Sequence, residues 1–592
     1  MPTAELPVDC LQRWLRDNAL QGLLIPSSDE YQNEYVPACA RRLHWATGFS
    51  GSAGRALVLQ DSAALFVDGR YTAQARQQVP VGRIEVLGHQ PEVLEQWLDT
   101  HLEPDSVVGF DPQLQTLAEV KTLRKQLCGV KSRLSALPAN PIDELWCQRP
   151  DAVATPVALY PLEYAGTSSA EKRSGLGNRM AELGLDYYLA TAPEEVAWLL
   201  NIRAWDLATV PVPLSYALLA RSGEVQWFIE AERVPPLVES GDHFGDGVAV
   251  QPPAAVASVL DGLGAGSVIG LNLKRTPYYL AQRIDKLGGL IDTDLVEMEK
   301  AKKNPREIYG ALAAQKHDCL AVIKFLSWLE TTVAERSLTE LDAADKITRI
   351  RRECAAFLGV SFEPISASGP NSALAHYRVS ERTNRVLNDE AIYLIDSGGQ
   401  YYGGTTDITR TVALYTPSRQ QKRAYTLVLK GHIALAMCRF PAGTSGSQLD
   451  VLARQHLWQQ GMDYGHGTGH GVGSYLSVHE GPAAIRPAPS ATPLCEGMIL
   501  SNEPGYYEEG SYGIRIENLV VVKKSALDGF LEFDTISHVP MDHRLLDFSL
   551  LTEQEKGWLK RYHCEIKTRF PPELDDVEKQ WLADAIEPFI SC

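Results

Sequence analysis

A chain of 592 residues is too long for one compact core, and length alone points to about three or four domains. Its 45% hydrophobic and 22% charged residues are those of an ordinary globular protein, which excludes long disordered stretches. A formal charge of -18 without any block of Lys and Arg argues against a nucleic-acid partner.

The first residues carry no basic segment followed by an apolar core, and no run of eighteen apolar residues occurs, so no membrane association and a cytoplasmic location are the expectation. Ten scattered cysteines without a Cys-x-x-Cys pair read as reduced structural thiols. The chain then opens with a helical pattern around Leu11 to Leu20, a strand at Gly22 to Ile25, and short apolar runs at Ala56 to Leu59 and Ala63 to Val67. Beyond a polar, proline-punctuated stretch near Arg149 to Thr155 the pattern starts again. A helix (Ser169 to Leu183), a strand (Asp186 to Thr191), a helix (Pro193 to Leu200) and strands at Leu214 to Leu219 and Val225 to Ile229 make the second segment a loose copy of the first.

A third segment begins where Asn304 can cap, Pro305 can take the first helical position and Glu307 can reach back to the cap. The spacing predicts a long helix whose buried stripe is Ile308, Leu312, Cys319, Val322, Ile323 and Leu326. Past about residue 545, Thr552 with Glu555 opens a helix carrying Trp558 and Tyr562, and Pro571-Pro572 separates it from a last helix around Trp581. This tail shows no chemistry of its own and reads as packing or a subunit interface.

The third segment carries the reactive residues. A buried-looking strand ends in Asp396, a Gly- and Tyr-rich turn follows, and Asp407 begins a second strand. A carboxylate at the buried end of a strand needs a partner or a metal. In HGTGHGVG, four glycines oppose a helix and favour a loop presenting His466 and His470; with His479, three histidines fall within fourteen residues. The stretch SNEPGYYEEGSYGIRIEN adds Glu503 before a turn and Glu517 inside a strand pattern, where alternation sets Arg515 and Glu517 opposite Ile514 and Ile516. From that pattern alone a surface position for Glu517 stays open. Together Asp396, Asp407, Glu503, Glu517 and a neutral His470 sum to four negative charges, which two divalent cations balance. Oxygen ligation with one nitrogen suits Mn(II), Co(II) or Fe(II), and does not exclude zinc.

These motifs, with VHEGP and SALAHYR, resemble the pita-bread metallopeptidases, a group that contains prolidase and aminopeptidase P. The early segments SDEYQNEYVPACARRLHWATGFSGSAGRALV and FVDGRYTAQA are similar to the N-terminal domain of the long aminopeptidase P form, so the resemblance spans nearly the whole chain. It implies an α/β (α+β) protein: a creatinase-N-like domain over 1–152, a related α/β domain over 153–299, and a pita-bread catalytic domain over 300–592 with a helical extension from about 545. It further implies that Asp396 and Asp407 bind one metal and His470 and Glu503 the other, with Asp407 and Glu517 bridging and Mn2+ the usual ion. A hydroxide bridging the two ions would attack the bond and Glu503 would take its proton, while His376 and His479 steady the scissile carbonyl and the oxyanion. His466 would stand near the substrate and Arg70, in DGRY, would contact longer substrates. The implied reaction removes the first residue from peptides with proline second, by a homodimer. A prolidase cleaving Xaa-Pro dipeptides, or a peptide-binding module without catalysis, is the alternative; five filled ligand positions count against the latter. The Ala- and Pro-rich loop GPAAIRPAPSATP is slightly shorter than the family pattern.

Overall fold

The computed structural model describes residues 5–235 and 243–591. The chain divides into two compact units: Met1–Leu162 with Thr167–Val296, and Glu163–Gly166 with Glu297–Cys592. Among the described residues no helix is long and apolar enough to cross a membrane.

The first unit contains two six-stranded sheets of the same topology. In one, the strands run in the order Glu85–Gly88, Ala63–Val67, Arg55–Leu59, Gly22–Pro26, Val107–Phe110, Arg133–Ala136. In the other the order is Val248–Gln251, Val225–Phe228, Tyr216–Ala220, Tyr187–Ala190, Ile269–Leu271, Leu290–Asp292. Both have antiparallel pairing in the middle and parallel pairing at the flanks. The repeat seen in the sequence is therefore a repeat of topology. One apolar core joins residues of both sheets, among them Leu24, Phe66 and Phe110 with Leu189, Leu218 and Phe228.

The helices Ser169–Leu183 and Pro193–Leu200 have the expected bounds. The first helix instead runs Pro7–Asp17, four residues earlier than its apolar pattern, because Pro7 supplies the preset first-turn dihedral.

In the second unit, the helix Pro305–Glu335 starts with the anticipated box: the Asn304 side chain accepts the Glu307 N–H at 3.1 Å, and the Glu307 carboxylate accepts the Asn304 N–H at 3.0 Å. Its buried stripe differs at two places, since Ile308 is only partly buried and Leu312 is 39% exposed. The reason is a close backbone approach: a Cβ at Gly310 would lie 2.5 Å from the Gly403 carbonyl oxygen, so the face holding Gly310, Ala311 and Ala314 turns inward.

Two antiparallel sheets position the reactive residues. The smaller one orders Ile365–Ser368, Ile392–Ser397 and Ile408–Ala413. The larger one orders Arg439–Pro441, Phe530–Thr535, Asn518–Lys524, Ile499–Asn502, Gly469–Gly471 and Glu480–Ile485. A continuous core packs the helices Pro305–Glu335, Glu340–Arg352 and Arg419–Ala436 against Tyr393 and Ile395, and extends to Trp558, Tyr562 and Phe589 of the C-terminal helices. Those two helices, Glu553–Arg569 and Asp576–Ile590, are capped by Thr552 and Asp575.

Candidate metal centre

Asp396 lies one residue from the end of Ile392–Ser397, paired in register with Thr409 of the neighbouring strand. Asp407 stands just before that strand, Ile408–Ala413, rather than within it. Between the two aspartates the chain makes the short paired strands Gly399–Tyr401 and Gly404–Thr405, and the first of these also pairs with Phe357–Val360, so the connection is part of a three-stranded sheet. His470 sits in the three-residue strand Gly469–Gly471, so the glycine-rich stretch is not wholly a loop.

The glutamates leave an antiparallel pair together. Asn502 is in register with Asn518, and beyond that pair the strands separate, which releases Glu503 after one and Glu517 before the other. The Glu517 N–H donates to the Thr409 carbonyl at 3.2 Å, and the Glu503 N–H to the Thr468 carbonyl at 2.8 Å. Glu517 is thus at a junction between strands and only 1% exposed; the surface position that alternation left open does not occur. Both faces are buried here, so Ile514, Arg515, Ile516 and Glu517 are all inside.

One oxygen of Asp407, one nitrogen of His470 and one oxygen of Glu517 lie within 4.8 Å of one another. The His470 Nε2 is 3.5 Å from Asp407 Oδ2 and 3.4 Å from Glu503 Oε1. Its Nδ1 is 3.0 Å from the Gly471 carbonyl, which fixes the proton on Nδ1 in the neutral ring and leaves Nε2 as a lone-pair donor.

The electrostatics are those of carboxylates lacking counter-charge. Burial, reinforced by Asp396 and Glu503 against the pull of His470, pushes Asp407 up to about 6. Burial and then Asp407, Asp396 and Glu503 hold Glu517 well above the usual carboxylate range. For His470, burial would lower the pKa, but Asp407 and then Glu503 overcome it and raise it to about 9.

Asp396 Oδ1, Asp407 Oδ1 and Glu517 Oε1 are buried with no hydrogen-bond donor. Orphaned buried carboxylate oxygens cost free energy unless something charged meets them. The donor set fits divalent cations.

Three further histidines were expected near the substrate. The His479 ring lies 4.2 Å from that of His470, centroid to centroid, and edge-on to it. His466 has Nδ1 at 2.7 Å from the Gly467 carbonyl and Nε2 at 2.8 Å from the Tyr507 hydroxyl. His376 follows the short turn Gly369–Ala373, whose Ser372 hydroxyl accepts the Gly513 N–H at 2.7 Å and so ties that turn to the strand ending in Arg515. Arg70 belongs to the first unit, where its guanidinium holds Asp68 through Nε at 3.0 Å and Nη2 at 2.7 Å.

Comparison with known proteins supplies the family. The metallopeptidase family M24 model matches residues 311–524, the C-terminal region of peptidase M24 matches 529–589, and two creatinase/prolidase N-terminal domain models match 8–141 and 148–307. A probable Xaa-Pro aminopeptidase P from Coccidioides posadasii is 37% identical over 615 residues, covering 99% of this chain and 94% of its own. The chain belongs to metallopeptidase family M24. A solved structure from Caenorhabditis elegans, described as X-prolyl aminopeptidase, a cytosolic enzyme with a di-nuclear active site, superposes with a TM-score of 0.92 at 34% identity over 98% of each chain. A Xaa-Pro dipeptidase from Bacillus anthracis, 25% identical, covers 63% of this chain and 99% of its own with a TM-score of 0.51. The M24 chain is accordingly an α/β protein with creatinase-type N-terminal domains and a pita-bread catalytic domain.

Sequence reading of the M24 site missed Arg515. Its Nη2 donates to Asp396 Oδ2 at 2.6 Å, its Nη1 to the Tyr507 hydroxyl at 2.6 Å, and its Nε to Thr409 Oγ1 at 3.2 Å. The Thr409 hydroxyl in turn donates to Glu517 Oε2 at 2.8 Å. The Tyr507 hydroxyl then donates to His466 Nε2, so one chain of donors runs from Asp396 to the Gly467 carbonyl. The available signal was only an arginine two residues from Glu517, on the same face of the strand pattern.

Proposed function

We propose that this chain is a metalloaminopeptidase that hydrolyses the bond between an N-terminal residue and a proline in second position. The observation that supports the reading is the set of orphaned, buried carboxylate oxygens on Asp396, Asp407 and Glu517, in a chain that matches an X-prolyl aminopeptidase from end to end. In this reading Asp396 and Asp407 would hold one cation and His470 and Glu503 the other, with Asp407 and Glu517 contributing to both. Two divalent ions there would supply an acidified water and a Lewis acid for the scissile carbonyl. Manganese is the ion we favour, with oxygen-rich ligation as its support.

The residues contribute the rest. Glu503 is partly exposed, with an 18% accessible side chain, and Ser501 Oγ donates to its Oε1 at 3.2 Å; its access to solvent supports the reading in which it would accept a proton and pass it to the leaving proline nitrogen. His479, in ring contact with His470, and His376 are assigned to the carbonyl oxygen and the oxyanion. His466 is oriented by Gly467 and Tyr507 and faces the substrate's first residues in this assignment. Proline second in the peptide removes the N–H that ordinary aminopeptidase clefts bind, which is why a dedicated site is chemically reasonable.

We further read the chain as three domains, 1–152, 153–299 and 300–592, acting as a cytoplasmic homodimer; the description of the nematode relative as cytosolic supports the location. The dipeptidase alternative is disfavoured by length, because that relative accounts for 63% of this chain. The decisive assay offers Arg-Pro-Pro and Gly-Pro to the manganese-loaded protein. Release of arginine from the tripeptide is expected, and hydrolysis confined to the dipeptide would overturn the assignment.

A further inference from the structure

The helix Glu553–Arg569 belongs to the C-terminal region, to which the motifs assign no chemistry. One of its faces carries Trp558 and Tyr562, one turn apart, with rings stacked at 5.0 Å. That face meets the back of the metal centre.

The Tyr562 hydroxyl accepts from Arg410 Nη2 at 2.9 Å and from the Val539 N–H at 3.0 Å, and donates to the Val539 carbonyl at 2.9 Å. Arg410 is fully buried and no carboxylate pairs with it among the described residues; carbonyl and amide oxygens satisfy it instead. Its Nη1 donates to the Glu517 carbonyl at 2.6 Å and its Nη2 to Asn518 Oδ1 at 2.8 Å. A guanidinium fork held by Tyr562 thus fixes the backbone of Glu517 from behind.

The other glutamate is tied to the same platform. Trp558 lies edge-to-face on His432 at 6.0 Å. His432 Nδ1 is 3.1 Å from the Asn502 carbonyl, its Nε2 is 3.3 Å from Asn518 Nδ2, and its own carbonyl accepts from Asn502 Nδ2 at 2.9 Å. Asn502 precedes Glu503 and Asn518 follows Glu517, and the two asparagines are in register. The separation of the strands that presents both carboxylates is therefore clamped by His432 and Arg410, and both of these rest on one helix.

We propose that the C-terminal helix Glu553–Arg569 is a positioning element of the metal centre, with Tyr562 setting Glu517 through Arg410. The proposal rests on the reading of Glu503 and Glu517 as metal ligands. Tyr562→Phe in the full chain removes one hydroxyl and keeps the stacking on Trp558 and on His538, whose ring lies 5.4 Å away. Mn(II) binding is measured with the metal alone, alongside kcat and KM for Arg-Pro-Pro and the thermal midpoint. The expected result is Mn(II) affinity weakened roughly ten-fold, the size typical of lost outer-shell support, with kcat restored by excess Mn(II) and KM unchanged.

Phe589→Leu is the packing control, because Phe589 stacks on His563 at 3.8 Å and makes none of the hydrogen bonds above. It lowers the thermal midpoint and leaves Mn(II) affinity at the wild-type value. Tyr562→Phe behaving like that control would overturn the proposal. Arg410→Lys, which keeps the charge but cannot reach Glu517 and Tyr562 together, tests the same link if the tyrosine variant does not fold, and wild-type affinity there would also overturn it. Glu517→Gln separates the two readings: unchanged Mn(II) binding in that variant would sink the ligand assignment itself.

Discussion

Asp396 divides its two oxygens between different kinds of partner. Oδ2 receives Arg515 Nη2 at 2.6 Å, while Oδ1 is buried without a donor. A carboxylate held this way cannot rotate to satisfy Oδ1, so the free oxygen stays aimed at whatever cation it meets. Arg515 also reaches Thr409, which donates to Glu517, so one guanidinium orients two of the four carboxylates. Lysine at this position keeps a charge but offers a single point donor in place of a planar fork. Arg515→Lys is expected to lower kcat and Mn(II) affinity together, by roughly 10- to 100-fold, with the fold intact by circular dichroism. Steady-state kinetics at several Mn(II) concentrations check this, and a normal kcat at low Mn(II) would show that Asp396 needs no such support. None of this pairing was legible in the sequence, because Asp396 and Arg515 are 119 residues apart and neither motif names the other.

Local signals, by contrast, carried most of the helices. The Asn304–Glu307 and Thr552–Glu555 boxes are complete within four residues, so the chain declares them wherever it goes. Elements whose limits depend on distant packing were not declared: Leu312 is exposed because Gly310 meets Gly403, and the strand expected through Glu517 breaks because its partner separates after Asn502. The strand Glu480–Ile485 shows the same dependence. Glu480 follows His479 and is ion-paired with Lys300 through Oε2 and with Lys303 through Oε1, each at 2.5 Å, with side chains of 2%, 4% and 2% exposure respectively. Burial would raise Glu480, but the two ammonium groups outweigh it and hold the carboxyl below its usual range. Glu480→Gln preserves shape and leaves two buried ammonium groups facing each other. Breaking a buried pair of this kind costs about 3–5 kcal/mol, and the expected outcome is a lower midpoint for chemical denaturation of the catalytic unit. A midpoint equal to wild type would mean that water or another carboxylate replaces Glu480.

Over the whole molecule, the repeat of N-terminal sheets was legible as a repeat of pattern, and the candidate metal site as a sum of charges; what the structure adds is the cost of that charge. Asp407 is pushed up to about 6 and Glu517 is held well above the carboxylate range, both by burial and neighbouring carboxylates, while His470 is raised to about 9 by Asp407 and Glu503 against the effect of burial. All three shifts are upward, so in chelated protein each group holds its proton more tightly folded than unfolded. Their contribution to stability is therefore complete below the unfolded carboxylate values, about pH 4, and is lost as pH rises through the folded values towards about 9. Divalent cations displace those same protons, so metal binding strengthens over the window in which the chelated protein weakens. The thermal midpoint of the Mn(II)-saturated protein should exceed that of the chelated protein by a margin that widens from about pH 5.5 to about pH 8.5. Repulsion from the overall charge of -18 is common to both samples and largely cancels in the difference. Paired melting scans across that range measure it, and a margin that stays constant or shrinks with pH would mean that protons and metal do not compete for Asp407, His470 and Glu517.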